Sequence, residues 1–223
     1  MKRALLVVIV SGILLAGCAG DSSSDTTNGS TTSVSVYLLR DGKVWPVRRE
    51  VEETNVEDAA YQALLAGPTQ EELDLGLASE VPENPTDKPS RAALAQIVYT
   101  ATQFSNSDSA EINGKNYTRA DFEAQTPSVL VESPLAFDDV DTPLRVAGTA
   151  NTFEANFEYE LLDGDGNVIY GTFVTATSGT GTRGTFFFTT PAVDDLAALV
   201  VFETSAEDGS RIREVEIPLT AVP

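Results

Sequence analysis

From Ser128 onward the chain consists of short stretches in which apolar and polar residues alternate, separated by turn residues about every ten positions. No helical periodicity appears in this half. The predicted strands lie at 129–132, 144–150, 155–162, 168–176, 184–189, 197–204 and 212–219. Since alternation gives each strand one apolar face, and such faces must cover one another, the pattern predicts an all-β sandwich.

The alternation also predicts which side chains of this sandwich point inward. The predicted inward residues are Phe157, Tyr159, Leu161, Val200 and Phe202. The residues predicted to face water beside them are Glu158, Glu160 and Glu203. This half contains neither cysteine nor tryptophan. The sandwich is therefore immunoglobulin-like in pattern but without the disulfide and tryptophan of antibody domains, and aliphatic and phenylalanine packing must hold it together.

The first half begins with a predicted β-hairpin. Alternating residues at 33–40 and 43–51 flank Asp41 and Gly42, a pair suited to a two-residue turn. Pro46 lacks a backbone donor, so the second strand is predicted to be an edge strand.

Helices are predicted to follow the hairpin. Thr54 with Glu57, and Thr69 with Glu72, have the spacing of capping boxes. Gly67 and Pro68 are predicted to end the first helix. A longer helix is predicted at 90–104, with an apolar stripe facing the sheet made of Leu94, Ile97, Ala101 and Phe104. A hairpin at 111–117 turns at Asn113 and Gly114. The first half is therefore predicted to be an α+β domain, a small sheet with two helices.

The first residues carry the parts of an export signal. Lys2 and Arg3 precede an apolar run at 5–16, which is shorter than the roughly 20 residues of a membrane-spanning helix. Residues 15–18, LAGC, resemble the bacterial lipobox. The resemblance implies cleavage before Cys18 and a lipid on that cysteine, which anchors the chain to the membrane outside the cytoplasm. The alternative is an ordinary secretory signal.

Four segments are expected along the chain. They are a signal peptide at 1–17, the lipidated Cys18 and a polar tether at 18–32, an α+β domain at 33–125 and the sandwich at 126–223. The formal net charge is −20. Nucleic acid binding depends on basic groups, so nucleic acid is excluded as a partner.

Catalytic chemistry has few candidates. The chain has no histidine, which removes the usual general base and a common zinc ligand. Asp138, Asp139 and Asp141 form an acidic cluster whose residues suit a turn between strands. We therefore predict no catalytic residue, no metal ligand and no cofactor. Paired carboxylates acting on a cell-wall polymer remain the enzymatic alternative.

Two further features bear on binding. Residues 163–167, DGDGN, begin like a calcium loop, but Val168 and Val174 stand where an EF-hand needs glycine and an acid. A hairpin turn is the favoured interpretation, and weak calcium binding is the alternative. Trp45, beside Pro46 on the edge strand, is a candidate partner contact, although a lone tryptophan more often closes its own core.

Several motifs resemble known families. Residues 35–38 (SVYL), 63–69 (ALLAGPT) and 96–104 (QIVYTATQF) resemble the GerMN domain of sporulation and spore-germination proteins. GerMN domains usually carry more strand sequence before the helix that holds Tyr99, so this domain is predicted to be shortened. The second half resembles the immunoglobulin-like Gmad2 domain of bacterial spore germination. The motifs are VESP at 131–134, PLRVAGTA at 143–150, FEAN at 153–156 and ETSAEDG at 203–209.

These features favour a noncatalytic, membrane-anchored envelope lipoprotein that binds a protein or cell-wall component. The resemblance implies a connection with sporulation or germination. The alternatives are a carboxylate-dependent enzyme and a calcium-dependent adhesive module.

Overall fold

The computed structural model describes residues 30–84, 87–104 and 108–222. The helices are α1 (Val56–Ala66), α2 (Gln70–Asp74) and α3 (Arg91–Ala101), with 3-10 segments at Arg119–Gln125 and Phe153–Ala155. The first strands are β1 (Thr31–Arg40), β2 (Lys43–Glu52), β3 (Ala110–Ile112) and β4 (Lys115–Tyr117). Those of the second half are β5 (Val129–Ser133), β6 (Asp139–Val140), β7 (Arg145–Ala150), β8 (Asn156–Asp163), β9 (Val168–Thr175), β10 (Gly184–Thr189), β11 (Leu196–Thr204), β12 (Arg211–Pro218) and β13 (Thr220–Ala221). None of the described helices has the length and apolar character needed to cross a membrane.

The predicted hairpin forms from β1 and β2. Arg40 pairs with Lys43, and Asp41 and Gly42 between them both have positive φ, as a two-residue hairpin turn requires. β1 starts at Thr31 and so includes two residues that the sequence assigned to the tether. The signal peptide, Cys18 and most of the tether lie outside the described residues.

The two predicted capping boxes have different outcomes. The box of Thr54 and Glu57 is wrong, because the N-cap of α1 is the next residue, Asn55, which is left-handed and makes no side-chain cap bond. Asparagine tolerates this conformation, which turns the chain from β2 into α1. The second box is confirmed: the amide of Glu72 donates to Thr69 Oγ1 at 3.4 Å, and Glu72 Oε2 accepts from the Thr69 amide at 2.8 Å. Gly67 ends α1 as predicted.

The buried face of α3 differs from the predicted stripe. Ala101 is exposed and Leu94 and Ile97 are only partly buried, whereas Gln96 is 0% exposed. The helix presents polar side chains to the edge of β1 that β2 leaves open. Gln96 Nε2 donates to the carbonyl of Tyr37 at 3.0 Å, and the Tyr37 amide donates to Thr100 Oγ1 at 3.1 Å. The buried face of α3 instead combines apolar residues, among them Val98 and Tyr99, with Gln96 and Thr100. The predicted stripe was wrong because the polar pair is buried by its hydrogen bonds to β1, which an apolar pattern does not reveal.

Gln103 continues this row of contacts one turn further along. It accepts from the Ser35 amide at 2.7 Å and donates to the Ser35 carbonyl at 2.6 Å. At the other end, Leu39 exchanges two backbone hydrogen bonds with Ala78. Between Ser35 and Leu39 the open edge of β1 is therefore satisfied by the side chains of Gln96, Thr100 and Gln103 and by a single bridge, although β1 and β2 alone form the sheet.

All seven strands predicted for the second half are present. One sheet has the order β10-β7-β5 and the other the order β12-β11-β8-β9, with all pairs antiparallel. A short parallel pair of β6 and β13 was not predicted. The structure is thus a small α/β part followed by a β-sandwich, as the sequence predicts.

The faces of β11 are the reverse of the prediction. Leu199 and Val201 join the core between the sheets, whereas Val200 and Phe202 are buried on the outer face, where the guanidinium of Arg211 covers the Phe202 ring at 4.3 Å. Glu203, predicted to face water, is 5% exposed. Because 196–202 is apolar throughout, alternation could not fix its facing, and an irregularity between Leu196 and Ala198 offsets it. The inward residues of β8 are confirmed, since Phe157, Tyr159 and Leu161 all join the core.

One apolar core runs through both parts of the chain. Val36, Leu38 and Trp45 of the hairpin belong to the same buried cluster as Val146 and Leu161 of the sandwich. We call residues 31–125 the N-terminal module and residues 126–222 the C-terminal module. The two modules are therefore packed into one continuous structure.

Candidate functional site

The modules meet along β2 and β5. Trp45 and Pro46 lie against Val129, Val131 and Ile217, and this seam encloses only about 10 Å³ of free space. Apolar surfaces packed this closely exclude water, which makes the contact stabilising. The hairpin is therefore held in one position relative to the sandwich.

Ion pairs flank the apolar seam. Arg48 donates to both carboxylate oxygens of Asp138, each at 2.6 Å. Glu132 Oε1 accepts from the Tyr37 hydroxyl and from Arg119, also at 2.6 Å. Burial raises the pKa of Tyr37 well above its ordinary value, and the charge of Glu132 adds to this effect. Tyr37 is therefore a neutral donor, and its bond to Glu132 fixes the register of the two modules.

An open cleft of about 500 Å³ lies beside the seam. Its walls are the β1–β2 turn, the segment that links the modules, and β12. The charged residues along it are Arg40, Asp41, Lys43, Glu123, Arg213 and Glu214. In a chain with 14 basic and 34 acidic residues, a cleft with three of each is distinctly less acidic than the whole. A ligand that carries positive and negative groups, or that is uncharged, fits this equal number of acidic and basic residues better than a polyanion does.

Trp45 forms part of the wall of the cleft. It is 7% exposed, and the guanidinium of Arg40 lies over its ring at 5.0 Å from the centroid. The hydroxyl oxygen of Ser128, also on the wall, is buried and has no hydrogen-bond partner among the described residues. An unpartnered buried hydroxyl is unusual in a folded protein. Both groups would become available to a ligand only if the wall of the cleft moved, for example by displacement of Arg40 from the ring.

Glu123 is held in its charged form at one rim. Its carboxylate accepts from Arg183 at 2.8 Å and 3.0 Å, and from the side-chain amide of Asn151 at 2.9 Å. The hydrogen bonds of Arg183 lower the pKa of Glu123, with burial opposing them and Asn151 assisting them. A carboxylate in this state is a hydrogen-bond acceptor and not a general acid.

Arg213 is placed at the other rim by an irregularity in β12. Its φ is +55°, and the pairing of β11 and β12 shifts register between Val201 and Glu203. Bulges of this kind redirect a side chain out of the regular alternation. Arg213 donates to the buried Glu203 at 2.9 Å while more than half of its side chain stays exposed.

The structure places the sequence candidates as follows. Trp45 lies in the core and at the wall of the cleft, and its contact with a partner stays a prediction. Cys18 lies outside the described residues. Asp138 binds Arg48 and accepts the Leu135 amide at 2.8 Å, as a turn residue does.

The calcium-like loop is a hairpin turn. Asp163 Oδ1 accepts the amides of Asp165 and Asn167 at 3.0 Å and 2.8 Å, and the Asn167 side chain donates to the same carboxylate. These hydrogen bonds, those of the Asn167 side chain foremost, lower the pKa of Asp163. Within 30–84, 87–104 and 108–222, no three acidic or cysteine side chains converge in a way that could hold a metal ion.

Sequence reasoning missed most of the cleft. Arg40, Lys43 and Arg213 are three of the chain's 14 basic residues, yet Arg213 lies about 170 positions from the other two, and nothing local indicates that they converge. Only the scarcity of basic residues could have drawn attention to them. The left-handed φ of Arg213 has no signal in its residue type, since arginine has no preference for that conformation.

The fold and the cleft define a two-module protein with an immunoglobulin-like sandwich in second place. Residues 128–210 match the Gmad2 family, the immunoglobulin-like domain of bacterial spore germination. The match covers β5 to β11 and ends just before β12. Searches of curated proteins and of solved structures found no match to this chain.

Proposed function

We propose that this chain is a noncatalytic lipoprotein of the cell envelope, anchored by lipid on Cys18, that binds a protein or cell-wall partner in the cleft between its modules. The Gmad2 match supports a connection with spore germination or sporulation. The motifs at 63–69 and 96–104 support a GerMN-like N-terminal module. The observation that carries the binding role is the cleft itself, an open space of about 500 Å³ between the modules, lined by three basic and three acidic side chains.

The state of the carboxyl groups supports a noncatalytic role. Several described carboxyl groups have shifted pKa values, and in each the pKa is lowered: Glu72, Asp121, Glu123, Asp163 and Asp208. A glycosidase-like mechanism needs a carboxylic acid with a raised pKa beside an ionised partner. Of these five groups Glu123 lies on the wall of the cleft, and its charged carboxylate suits hydrogen-bonded recognition.

Anchoring is tested by changing Cys18. The wild-type chain should incorporate labelled fatty acid and sediment with membranes. Cys18→Ala should lose the label, because no thiol remains for the thioether, whereas the matched Ser22→Ala variant should keep it. Labelling of Cys18→Ala would contradict the anchor.

Binding in the cleft is tested by placing a photocrosslinking residue at Glu214, on its rim, in intact cells. We expect one defined adduct from this site and none from the matched exposed site Glu57 on α1. No adduct at Glu214 would contradict binding in the cleft. Turnover of purified wall polymer by the chain, lost in Glu123→Gln, would favour the enzymatic alternative.

A further inference from the structure

A second surface lies at the end of the four-stranded sheet, away from the cleft. β9 is the last strand in the order β12-β11-β8-β9, and among the described residues no strand pairs with its other edge. Seven of its eight residues are exposed. An unpaired strand presents a row of free backbone donors and acceptors, which is a template for another strand.

The register identifies which backbone groups are free. The Ala176 amide donates to the Ala155 carbonyl at 2.8 Å, and these residues continue the pairing of β8 with β9. Hydrogen-bonded pairs recur at every second position of an antiparallel ladder. The positions whose backbone faces β8 are therefore Tyr170, Thr172 and Val174. Those whose backbone faces the open side are Gly171, Phe173 and Thr175.

The two ends of this sheet contrast in composition. β12, at the opposite end, carries Arg211, Arg213, Glu214, Glu216 and Pro218. Charged residues, proline and bulges are the usual means by which an edge strand resists pairing. β9 has neither a charged residue nor a proline in its eight positions, although 22% of the chain is charged. The β9 edge of this sheet therefore lacks the features that protect the β12 edge.

The apolar side chains of β9 are exposed as well. Phe173 is 69% exposed and lies opposite Glu158 on β8, while Val168, Ile169 and Tyr170 are exposed nearer the turn. An added strand would cover part of this apolar surface in addition to using the backbone groups. Strand addition takes affinity from the backbone and specificity from alternate side chains.

The charged residues around β9 indicate what kind of strand could bind there. Glu158 accepts a hydrogen bond from the hydroxyl of Thr204, and no lysine or arginine among the described residues forms an ion pair with it. Asp163 and Asp165 lie in the turn that precedes β9. A second copy of the chain would bring another net charge of −20 to this edge and be repelled. An incoming strand with basic side chains would complement these carboxylates.

We propose that the open edge of β9 binds an extended, positively charged segment of another protein, which adds as a fifth strand with apolar residues at alternate positions. This surface is separate from the cleft, so its failure would leave the cleft proposal intact.

The test uses the full chain and a synthetic peptide of alternating lysine and valine, about as long as β9. We expect binding in the micromolar range that weakens with added salt. Amide hydrogen exchange should show new protection at Gly171, Phe173 and Thr175. Nonspecific attraction to an acidic surface would not protect these alternate amides.

Matched controls separate strand addition from charge. Phe173→Pro removes an N–H that β8 does not use and should weaken binding about tenfold or more, whereas Phe173→Val keeps the N–H and should bind within about threefold of wild type. The same peptide with alternate amides methylated keeps its charges and should not bind. If Phe173→Pro fails to fold, the methylated peptide by itself distinguishes strand addition from charge attraction.

Three outcomes of the peptide experiments would overturn the proposal. They are no binding of the lysine and valine peptide, equal binding of the methylated peptide, and equal binding of a glutamate and valine peptide. Concentration-dependent dimerisation that protects the same amides would assign the edge to a second copy and would also contradict it.

Discussion

At the scale of single residues, Glu72 connects local and tertiary structure. Its carboxylate completes the capping box with Thr69 and also accepts from both terminal nitrogens of Arg49 at 2.6 Å. Burial of the 4% exposed Glu72 would raise its pKa, but the hydrogen bonds from Arg49 and Thr69 lower it more. The charged form is therefore favoured in the folded state.

We predict that Glu72→Gln lowers the free energy of unfolding by about 1 to 3 kcal/mol at neutral pH, because Arg49 loses its charged partner while the cap survives. The folded pKa of Glu72 is depressed, so its contribution is present above the unfolded pKa and is lost as pH falls through the folded pKa. Urea denaturation at neutral pH and at a pH of about 3 should show the difference shrinking in acid.

The matched control is Glu71→Gln, an exposed acid in the same helical turn, which should change stability by less than about 0.5 kcal/mol. An equal loss for Glu72→Gln at both pH values would contradict a role for its charge. The capping box could be predicted from its three-residue spacing. Arg49 could not, because it comes from β2 and reaches Glu72 only in the fold.

At the scale of elements, α3 shows how far periodicity predicts structure. Its existence is as the sequence indicates, and it begins where predicted, with Ser90 accepting the Ala93 amide at 2.9 Å, but it ends at Ala101 and not at residue 104. The face that α3 buries differs from the prediction, since Gln96 and Thr100 are polar residues that a periodicity argument assigns to the surface. Burial of polar groups is set by tertiary hydrogen bonds, which a single-sequence pattern does not contain.

We predict that Gln96→Leu destabilises the chain by about 1 to 3 kcal/mol, since the buried Tyr37 carbonyl and the partly buried Glu80 amide both lose their partner. Thermal unfolding measures the effect. The matched control is Gln70→Leu, because the exposed side-chain amide of Gln70 bonds only Asp74 among the described residues, and this variant should change stability little. Unchanged stability of Gln96→Leu would show that the edge of β1 finds other partners.

In the sandwich too, features set by local sequence were predicted and features set by tertiary contacts were not. Its seven strands follow from alternation and turns, and the inward face of β8 is as predicted. The facing of β11 was not predictable, because both of its faces are apolar. The burial of Glu203 was not predictable either, because its partner Arg213 lies at a register shift. The cleft also escaped prediction, since it exists only where the modules meet.

At the scale of the whole molecule, the shared core makes the modules depend on each other. Leu161 of the sandwich and Val36 of the hairpin belong to one buried cluster, and Arg48 and Tyr37 bind acids of the C-terminal module. Domains joined in this way should not unfold separately.

We predict a single calorimetric transition for the described part of the chain, with equal calorimetric and van't Hoff enthalpies. Leu161→Ala, a buried truncation costing about 2 to 5 kcal/mol, should lower the whole transition without splitting it. Leu65→Ala, at an exposed site of α1, is the control and should leave it nearly unchanged. Two transitions, with only the later one moved, would show that the modules are independent.

The position of Trp45 has a practical consequence. It is the only tryptophan of the chain, it borders the cleft, and a cation already rests on its ring. Its ultraviolet emission therefore originates from one known place, and displacement of Arg40 by an incoming molecule would change the colour and intensity of that light. Candidate envelope components can therefore be titrated into unlabelled protein, and the intrinsic fluorescence of Trp45 reports whether they bind in the cleft.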